Sequence, residues 1–493
     1  MPLAIHKVAG RIGKHLVCDS MDEKDCVTFF QHIVRRHTPF SIDSVEQPFS
    51  TFTNFGKNAQ CHIQRHGDLM YTCYIKVTLP GIAACDGSVT ADCVQLGPGS
   101  RFPISASSSV TSDDAFFSSN IIGFDGMSET AQKEALKKER DAWRRKNYGS
   151  AAELGCCVDD EDGNPGDMCD ELDGMWAHYV NDVGHALIEF AHFKVGGVKL
   201  DTITGLQMHV WEELAGKSGR RLQEMTGRRY TLGQLFCDSR EKRDLYIPLP
   251  FFFTHHSSSA LRTVAMYYHQ VTLEVTFAAL EKLIVVSNER VSVRDAETGS
   301  VISAQDLSAS LESTVILLSE MEEAAMKERP HHSLIIQHQS LTTTLRGQSP
   351  RIPLTFTSAV TSMFVVVRQI RHIQSNDWTN FSGIDRRDPI TSMDLKFNAT
   401  SWLTGAKPAV FWRTLVPYQH FSNIPESFVY CITFALDPEG TKEASGFVNF
   451  SKLDNIELQM QLQPGLGDVE ITVMARNWNV LSVESGHAKL HYS

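Results

Sequence analysis

The chain has 493 residues, of which 42% are hydrophobic and 21% are charged, and its formal net charge is -12. This length predicts two or three domains, each with a sizeable core. The acidic excess argues against direct contact with nucleic acid, which requires a basic face. No stretch approaches the roughly 18 apolar residues of a membrane-spanning helix. Residues 1–17 lack the continuous apolar segment of a secretory signal, so a short arm or a disordered tail is predicted there.

The eleven cysteines favour reduced thiols and a cytosolic folding site over a disulfide framework, because their number is odd and no Cys-x-x-Cys pair occurs. Five of them cluster in one segment, at Cys85, Cys93, Cys156, Cys157 and Cys169. Their spacing fits no standard ligand pattern for zinc. The sequence alone does not decide whether this segment holds a zinc site or a disulfide.

The first half of the chain opens with an arm, residues 1–40, and then shows short strand patterns. Strands are predicted at 47–54, 58–64 and 69–79, with His66-Gly67-Asp68 as the turn between the last two. No helix lies between these strands, which is typical of an antiparallel sandwich or barrel.

Residues 81–175 interrupt this pattern with a Gly/Ser-rich stretch, a predicted helix at 128–146 and an acidic loop at 159–173. Gly163 would suit the sixth position of a calcium loop. Positions one and twelve would then be Val158 and Cys169, so no EF-hand is predicted. An excursion of this length between strands usually carries function.

Strands resume after the insertion, at 185–195, 198–202, 245–254, 271–286 and 314–318. Pro248 and Pro250 indicate that the third of these is an interrupted strand near an edge or bulge. Helices are predicted at 206–214 and 320–328, and the second of them ends before Pro330.

The pattern then starts again, with strands predicted at 334–345, 352–356, 363–368, 393–397, 428–436, 456–462, 469–475 and 488–492. In the segment 456–462, Ile456, Leu458, Met460 and Leu462 alternate with polar residues, as in a strand with one buried face. About eight strands in roughly 160 residues have the size of one sandwich. The sequence therefore predicts an all-β protein of two tandem sandwiches.

The chain contains no motif that predicts a catalytic, cofactor-binding or metal-binding site. Gly216-Lys217-Ser218 resembles the end of a P-loop, but Trp211 stands where its first Gly is required. His255-His256 and His331-His332 are predicted to be solvated or capping residues, because adjacent side chains of an extended chain point to opposite sides.

Aromatic residues and sequons offer only weak functional signals. Core or subunit contacts are predicted for Trp402, Trp412 and Trp478, with a glycan-binding platform as the alternative. Asn380, Asn398 and Asn449 each begin an Asn-x-Ser/Thr sequon and are candidate N-glycosylation sites.

Residues 446–455, GFVNFSKLDN, resemble the Gly/Cys-x-Asn-Phe-Ser-Arg-Leu/Ile-Asp-Asn signature of the major capsid proteins of nucleocytoplasmic large DNA viruses, of the iridovirus and phycodnavirus type. Residues 434–438, 189–214 and 245–251 are similar to further segments of that family, in the same order. At 358–364 the family's His-Pro, Lys and Glu are absent. The chain is therefore identified as a divergent member.

This resemblance implies a double jelly-roll, two tandem eight-stranded antiparallel jelly rolls, with a long loop insertion in the first. The implied domains are an arm at 1–40, a first jelly roll at 41–329 with the insertion 81–175, and a second at 330–493. The implied role is structural: homotrimers form pseudo-hexagonal capsomers that tile an icosahedral shell over an internal membrane. Expected partners are neighbouring capsomers, minor capsid proteins and penton proteins, and the expected place is the virion, assembled in the host cytoplasm.

The insertion is expected to form the outward tower of the capsomer, and the arm to contact minor proteins under the shell. The alternative from another class is a glycan-binding or carbohydrate-active β-sandwich protein, which requires carboxylates and aromatic rings in one cleft. A secreted array of sandwiches is a further alternative, disfavoured by the odd number of cysteines.

Overall fold

The computed structural model describes residues 37–86, 176–216, 222–230, 232–286, 291–300, 302, 306–440 and 443–492. The predicted helix at 128–146, the acidic loop at 159–173 and residues 1–36 of the arm lie outside the described residues. The chain divides into two compact units, Met1–Phe40 and Ser41–Ser493. Apart from Phe40 at the start of the first strand, the sheets are built from the second unit.

The first group of strands is β1 (Phe40–Pro48), β2 (Asn58–Ile63), β3 (Leu69–Leu79), β4 (Ile82–Asp86), β5 (Ala177–Tyr179), β6 (Ile188–Val195), β7 (Val198–Ile203), β8 (Arg243–Pro248), β9 (Val271–Phe277), β10 (Ile284–Val286), β11 (Val291–Asp295) and β12 (Ser308–Leu318). They form two four-stranded sheets, β1-β12-β3-β8 and β2-β9-β6-β7, and the pairs β10-β5 and β11-β4. We call this group the first sandwich. Its strands follow a period of two: in β3, Cys73, Ile75 and Val77 are buried and the residues between them are half-buried.

The second group is β13 (His331–Arg346), β14 (Arg351–Pro353), β15 (Ala359–Gln369), β16 (Ile390–Phe397), β17 (Thr400–Ser401), β18 (Lys407–Pro408), β19 (Val429–Thr433), β20 (Val448–Asn449), β21 (Ile456–Leu462), β22 (Asp468–Glu484) and β23 (His487–Leu490). One sheet runs β13-β22-β15-β19, with β20 on β15 and β23 on β22. The other runs β14-β21-β16-β17, with β18 on β16. This group is the second sandwich, and the alternation predicted at 456–462 is confirmed in β21.

The two sandwiches share one strand order. In each sandwich, the eight strands of the two four-strand orders given above can be numbered 1 to 8 along the chain. Both sandwiches then have one sheet in the order 1-8-3-6 and a facing sheet in the order 2-7-4-5. This is the order of a jelly roll, in which paired strands fold over into two facing sheets. The predicted tandem all-β architecture is therefore confirmed. In this numbering, β19 and β21 are the sixth and seventh strands of the second sandwich.

The helices are α1 (Val183–Leu187), α2 (Gly205–Ala215), α3 (Gln223–Thr226), α4 (Leu232–Arg240), α5 (Glu320–Glu328), α6 (Ile370–Gln374) and α7 (Val416–His420). The helices predicted at 206–214 and 320–328 are confirmed as α2 and α5. Within the described part of the chain, no helix combines the length and the apolar character needed to cross a membrane.

Several strand predictions are wrong in part. The strand predicted at 47–54 coincides with β1 only at Gln47 and Pro48, and the region 271–286 is divided between β9 and β10. Residues 185–187 belong to α1, which starts after Asp182 in the left-handed conformation at φ 58°. Gly184 lets α1 approach α3, because a Cβ at Gly184 would lie 2.9 Å from Thr226 O. The strand expected over 245–254 ends at Pro248, and the chain continues in a 3-10 turn at Phe252–Thr254.

Each sandwich has its own hydrophobic core, and the antiparallel strand pair β13–β22 enters both. These strands pair in register from His331 opposite Val483 to Arg346 opposite Asp468. Residues near the start of β22, such as Ile471 and Val473, belong to the second core. Ile335, Leu481 and Val483 belong to the first core.

Candidate functional site at the junction of the two sandwiches

Helix α2 lies where the two sandwiches meet. Leu206, Val210 and Leu214 recur every four residues, which places them on one helical face, and they belong to the second core. Met208 belongs to the first core. The helix follows β7 of the first sandwich, and it is packed into both.

The start of α2 is fixed by a capping box. Thr204 Oγ1 accepts a hydrogen bond from Gln207 N at 3.2 Å, and Gln207 Oε1 accepts one from Thr204 N at 2.9 Å. Gln207 Nε2 also donates to Gln339 O of β13 at 3.3 Å. The cap therefore orients α2 and attaches its first turn to the second sandwich.

A buried cluster of acids and histidines connects α1 with α2. Asp182 Oδ2 accepts hydrogen bonds from His185 Nδ1 at 2.8 Å and from His209 Nδ1 at 2.6 Å. The exposed fraction of each of these side chains is 1% or less. Charged groups this deeply buried persist only when they are paired or bind a metal.

Further charges and two aromatic rings surround this cluster. Glu212 Oε2 lies 3.7 Å from His185 Nδ1, and Glu213 Oε1 lies 3.6 Å from His209 Nε2. Arg228 Nη2 donates to Glu213 at 2.8 Å, and Ser427 Oγ donates to the same carboxylate from the second sandwich. The rings of Trp378 and Phe381 lie 5.4 and 5.8 Å from the His209 ring.

Burial and charge act in opposite directions on the pKa values of the cluster. Burial alone would raise the pKa of Asp182, but the two histidines outweigh it and hold that pKa well below its usual range. Burial would lower the pKa of His185, but Asp182 outweighs it and raises that pKa. Burial raises the pKa of Glu212.

A second polar contact across the junction is centred on Arg476 of β22, which is only 2% exposed. Its guanidinium carbon lies 3.5 Å from the centre of the Trp211 ring of α2, and Nη1 donates to Pro438 O at 2.9 Å. Burial lowers the pKa of Arg476 to about 9. Beside it, Asp201 of β7 accepts from His338 Nδ1 of β13 at 2.9 Å.

A cleft of about 790 Å³ opens along the same junction, with both carboxylates and aromatic rings in its lining. Two of its four carboxylates are engaged in ion pairs, Glu189 with Lys282 at 2.6 Å and Glu470 with Arg368 at 2.5 Å. A third, Asp377, accepts a hydrogen bond from Asn380 at 2.6 Å. A glycosidase needs a pair of carboxyl groups free to act as acid and as base or nucleophile. The cleft therefore gives little support to the carbohydrate-active alternative.

The three sequon asparagines lie in different surroundings, all in the second sandwich. Asn380 is half-buried and donates to Asp377 at 2.6 Å. Asn449 is half-buried and accepts from Ser451 N at 3.1 Å. Asn398 is exposed at the β16–β17 turn, at φ 48°.

The structure separates the predicted histidine pairs. The capping role is confirmed for His256, whose ring nitrogen accepts from Ser258 N at 3.0 Å. The prediction is wrong for His255, whose ring contacts Trp211 and whose pKa burial lowers to about 3. His331 and His332 bond to Ser333 and Ser482.

The tryptophan prediction is confirmed. Trp412 and Trp478 are buried, and Trp402 packs against the second core. The thiol prediction holds for Cys61, Cys73 and Cys431, which are free and buried, and is wrong for Cys237, which forms a disulfide. The cysteine cluster of the insertion lies outside the described side chains.

Sequence reasoning missed the acid–histidine cluster. Asp182 and His209 are separated by 27 residues and meet only in the fold. A signal was nevertheless present in the helical spacing of Asp182 with His185 and of His209 with Glu213, which are i,i+3 and i,i+4 pairs.

Two family models match the chain. The model described as "Large eukaryotic DNA virus major capsid protein" matches residues 322–489, and that described as "Major capsid protein N-terminus" matches residues 28–97 and 163–318. Together they cover most of both sandwiches.

Relatives and solved structures agree with these models. The major capsid protein of Pyramimonas orientalis virus is 25% identical over 95% of this chain and 94% of its own length. That of Phaeocystis pouchetii virus is 22% identical over 95% of both. The quasi-atomic model of the PBCV-1 virus capsid has a TM-score of 0.64 at 17% identity, covering 94% of this chain and 100% of that one. The Faustovirus major capsid protein has a TM-score of 0.64 at 12% identity, covering 94% of both.

Strand order and family models together define the class, a capsid protein with a double jelly-roll fold. The chain belongs to the major capsid proteins of large eukaryotic DNA viruses. Proteins of this family are structural rather than catalytic, self-associate into a shell, and have their place in the capsid of the virion. The carbohydrate-active alternative is thereby set aside.

Proposed function

We propose that three copies of this chain form a homotrimer, and that its six jelly rolls make a pseudo-hexagonal capsomer that tiles an icosahedral shell. The observation that carries the proposal is the shared strand order of two sandwiches on one chain. Three chains with two similar modules each present six similar sides to their neighbours. The first jelly roll would extend over 41–329, with the insertion 81–175, and the second over 330–493.

Exposed apolar side chains on the second sandwich suit a contact between subunits. Val410, Leu415 and Tyr418 are 56%, 42% and 74% exposed, and they follow one another on consecutive helical turns. His420 Nδ1 lies 3.1 Å from Leu436 O, which brings a loop carrying the 80% exposed Leu436 beside α7. Apolar surface grouped in this way marks an interaction site, and an obligate trimer buries more than about 2,000 Å².

Size-exclusion chromatography with light scattering tests the trimer. The expected species has three times the 55.1 kDa of one chain. Leu436→Asp and Tyr418→Asp should shift it toward monomer, because burying a carboxylate in an apolar contact is costly. The matched control is Met321→Asp on α5, where an 85% exposed side chain should tolerate the charge.

Two outcomes would overturn this proposal. A wild-type chain that stays monomeric at micromolar concentration contradicts the trimer. A trimer that survives Leu436→Asp and Tyr418→Asp unchanged, or that Met321→Asp disrupts equally, contradicts the location of the contact.

The insertion 81–175 would form the outward tower of the capsomer, and the arm 1–40 would contact minor capsid proteins beneath the shell. Capsomers would meet penton proteins at the vertices and reach the internal membrane through minor proteins, with assembly in the host cytoplasm. An electron-microscopy map with the insertion on the inner face would contradict the tower. Normal assembly after deletion of the arm would contradict its proposed contact.

Of the three sequons, Asn398 is the best acceptor for a glycan. Its side chain is exposed, with Oδ1 accepting a hydrogen bond from Asn455 N at 3.1 Å, whereas the side chains of Asn380 and Asn449 are half-buried. Mass spectrometry of peptides from virions should find any N-linked glycan at Asn398. A glycan at Asn380 or Asn449 with Asn398 unmodified would refute this assignment.

A further inference from the structure

The acid–histidine cluster of α1 and α2 has the donor atoms of a metal site. The donors are a carboxylate oxygen of Asp182 and one ring nitrogen each of His185 and His209, and these three atoms all lie within 4.8 Å of one another. Imidazole nitrogen and carboxylate oxygen are ligands that zinc prefers in proteins. All three side chains are buried, so no bulk water competes for them.

Hydrogen bonds leave this cluster incompletely satisfied. Asp182 Oδ2 accepts from both histidines, while Asp182 Oδ1 has no hydrogen-bond partner among the described residues. Among the described residues, His209 Nε2 and Glu212 Oε2 are likewise buried with no hydrogen-bond partner. Native proteins seldom leave so many buried polar atoms unpaired in one place, and each one is costly.

The charges of the cluster also call for a dication. Asp182, Glu212 and Glu213 supply three carboxylates, and Arg228 supplies one guanidinium. With neutral histidines, two negative charges remain in a buried site. Either one divalent cation or two imidazolium protons would balance them.

We infer that Asp182, His185, His209 and Glu212 bind a zinc ion at the junction of the two sandwiches. In tetrahedral zinc sites with bonds near 2.0 Å, ligand atoms stand about 3.3 Å apart. Here the separations from Asp182 Oδ2 are 2.8 and 2.6 Å, and Glu212 Oε2 lies 3.7 Å from His185 Nδ1. These three separations must change by about 0.4–0.7 Å to match tetrahedral zinc.

Glu213 would act as a positioning residue. A histidine that binds zinc through one ring nitrogen usually donates the other N–H to a carboxylate, which fixes the ring. Glu213 Oε1 lies 3.6 Å from His209 Nε2 and is itself held by Arg228 at 2.8 Å. Zinc at Nδ1 therefore puts the proton on Nε2, facing a fixed acceptor.

Zinc in this position would tighten the junction. Two donors come from α1 and its cap and two from α2, whose apolar face lies in the second core. Metal that binds only the folded chain stabilises it in proportion to the logarithm of the free metal concentration.

The test uses the full-length chain, treated with a chelator, exposed to zinc and dialysed. Zinc per chain is then measured by plasma mass spectrometry, and affinity by competition with a chromophoric chelator. Cobalt in place of zinc reports the ligands, because thiolates produce near-ultraviolet charge-transfer bands that nitrogen and oxygen ligands lack. Asp182→Asn removes a ligand, Glu213→Gln removes the positioning carboxylate, and His332→Gln is the control, since His332 is half-exposed outside the cluster.

We expect the wild type to bind zinc with a cobalt spectrum of nitrogen and oxygen ligands and a raised melting temperature. Asp182→Asn should lose one zinc per chain, Glu213→Gln should bind about 10- to 100-fold more weakly, and His332→Gln should match the wild type. A folded wild type that retains no zinc, or only thiolate-bound metal, overturns the inference. Undiminished zinc in folded Asp182→Asn overturns it too. If that variant does not fold, the wild-type zinc content and cobalt spectrum decide.

Discussion

The contact of Trp211 with Arg476 predicts a strong energetic coupling between the two sandwiches. Trp211 lies on α2, and Arg476 lies on β22 with its guanidinium carbon 3.5 Å from the ring centre. The perturbation is a double-mutant cycle with Trp211→Leu, Arg476→Met and the double variant. Both replacements are apolar and of moderate size, so neither introduces a new polar group.

The structure fixes the size of the expected coupling. Cation–π contacts contribute about 0.5–1 kcal/mol at exposed sites and about 2 kcal/mol or more when water is excluded. Arg476 is 2% exposed and stands well within contact range. We therefore expect a coupling free energy of about 2 kcal/mol. A second cycle at Arg413 and Phe428, 5.0 Å apart with Arg413 26% exposed, should give about 0.5–1 kcal/mol.

The assay is urea unfolding followed by far-ultraviolet circular dichroism, at one fixed chain concentration because association also stabilises. The cycle removes what each single change costs in packing and in lost hydrogen bonds. A Trp211–Arg476 coupling below about 0.5 kcal/mol would refute the reasoning, since unconnected sites are additive to that level. So would a larger coupling in the Arg413–Phe428 cycle.

Three further predictions concern single residues. Burial lowers the pKa of His178 to about 4, so between about pH 6.5 and pH 4 this histidine is protonated in the unfolded chain and neutral in the folded chain. The free energy of unfolding should therefore fall by about 1.4 kcal/mol per pH unit on acidification over this range. An unchanged pH slope of the melting temperature in His178→Gln would contradict this. Gly446→Ala should destabilise the chain by at least about 1 kcal/mol more than Gly347→Ala. Both glycines have positive φ, but only a Cβ at Gly446 would meet backbone, 2.5 Å from Phe434 O. Equal free energies of unfolding in the two variants would contradict this prediction. Asn449 caps the 3-10 turn Phe450–Lys452, because its side chain accepts from Ser451 N. Asn449→Ala should cost about 1 kcal/mol in thermal unfolding, while Asn449→Asp stays near the wild type because it keeps an acceptor. Equal losses in the two variants would refute the capping role.

The sequence predicted the elements whose side chains follow one clear period. In β21 the buried Ile456, Leu458, Met460 and Leu462 alternate with polar residues, and this strand was predicted with its observed bounds. Helix α2 was predicted within a residue at each end. Helix α1 was missed because all five of its residues are buried, which leaves no polar face to reveal a helical period.

The junction was less predictable because it depends on contacts between distant segments. Asp182 and His209 are 27 residues apart, and Asp201 and His338 are 137 residues apart. Local pattern carries no information on such pairs. The contact of Arg476 with Trp211 is equally hard to predict from sequence, since a lone Arg within an apolar strand does not reveal which group contacts its buried guanidinium.

The antiparallel strand pair β13–β22 has a mechanical consequence for a shell. Its two strands stay hydrogen-bonded in one register from the second core, where Val473 packs, into the first core, where Val483 packs. A hinge between the sandwiches would have to break strand pairing and expose apolar side chains of one core or the other. Pressure on the capsid wall would therefore be transmitted through each subunit as through a stiff rod, and the wall would yield first at the seams between subunits.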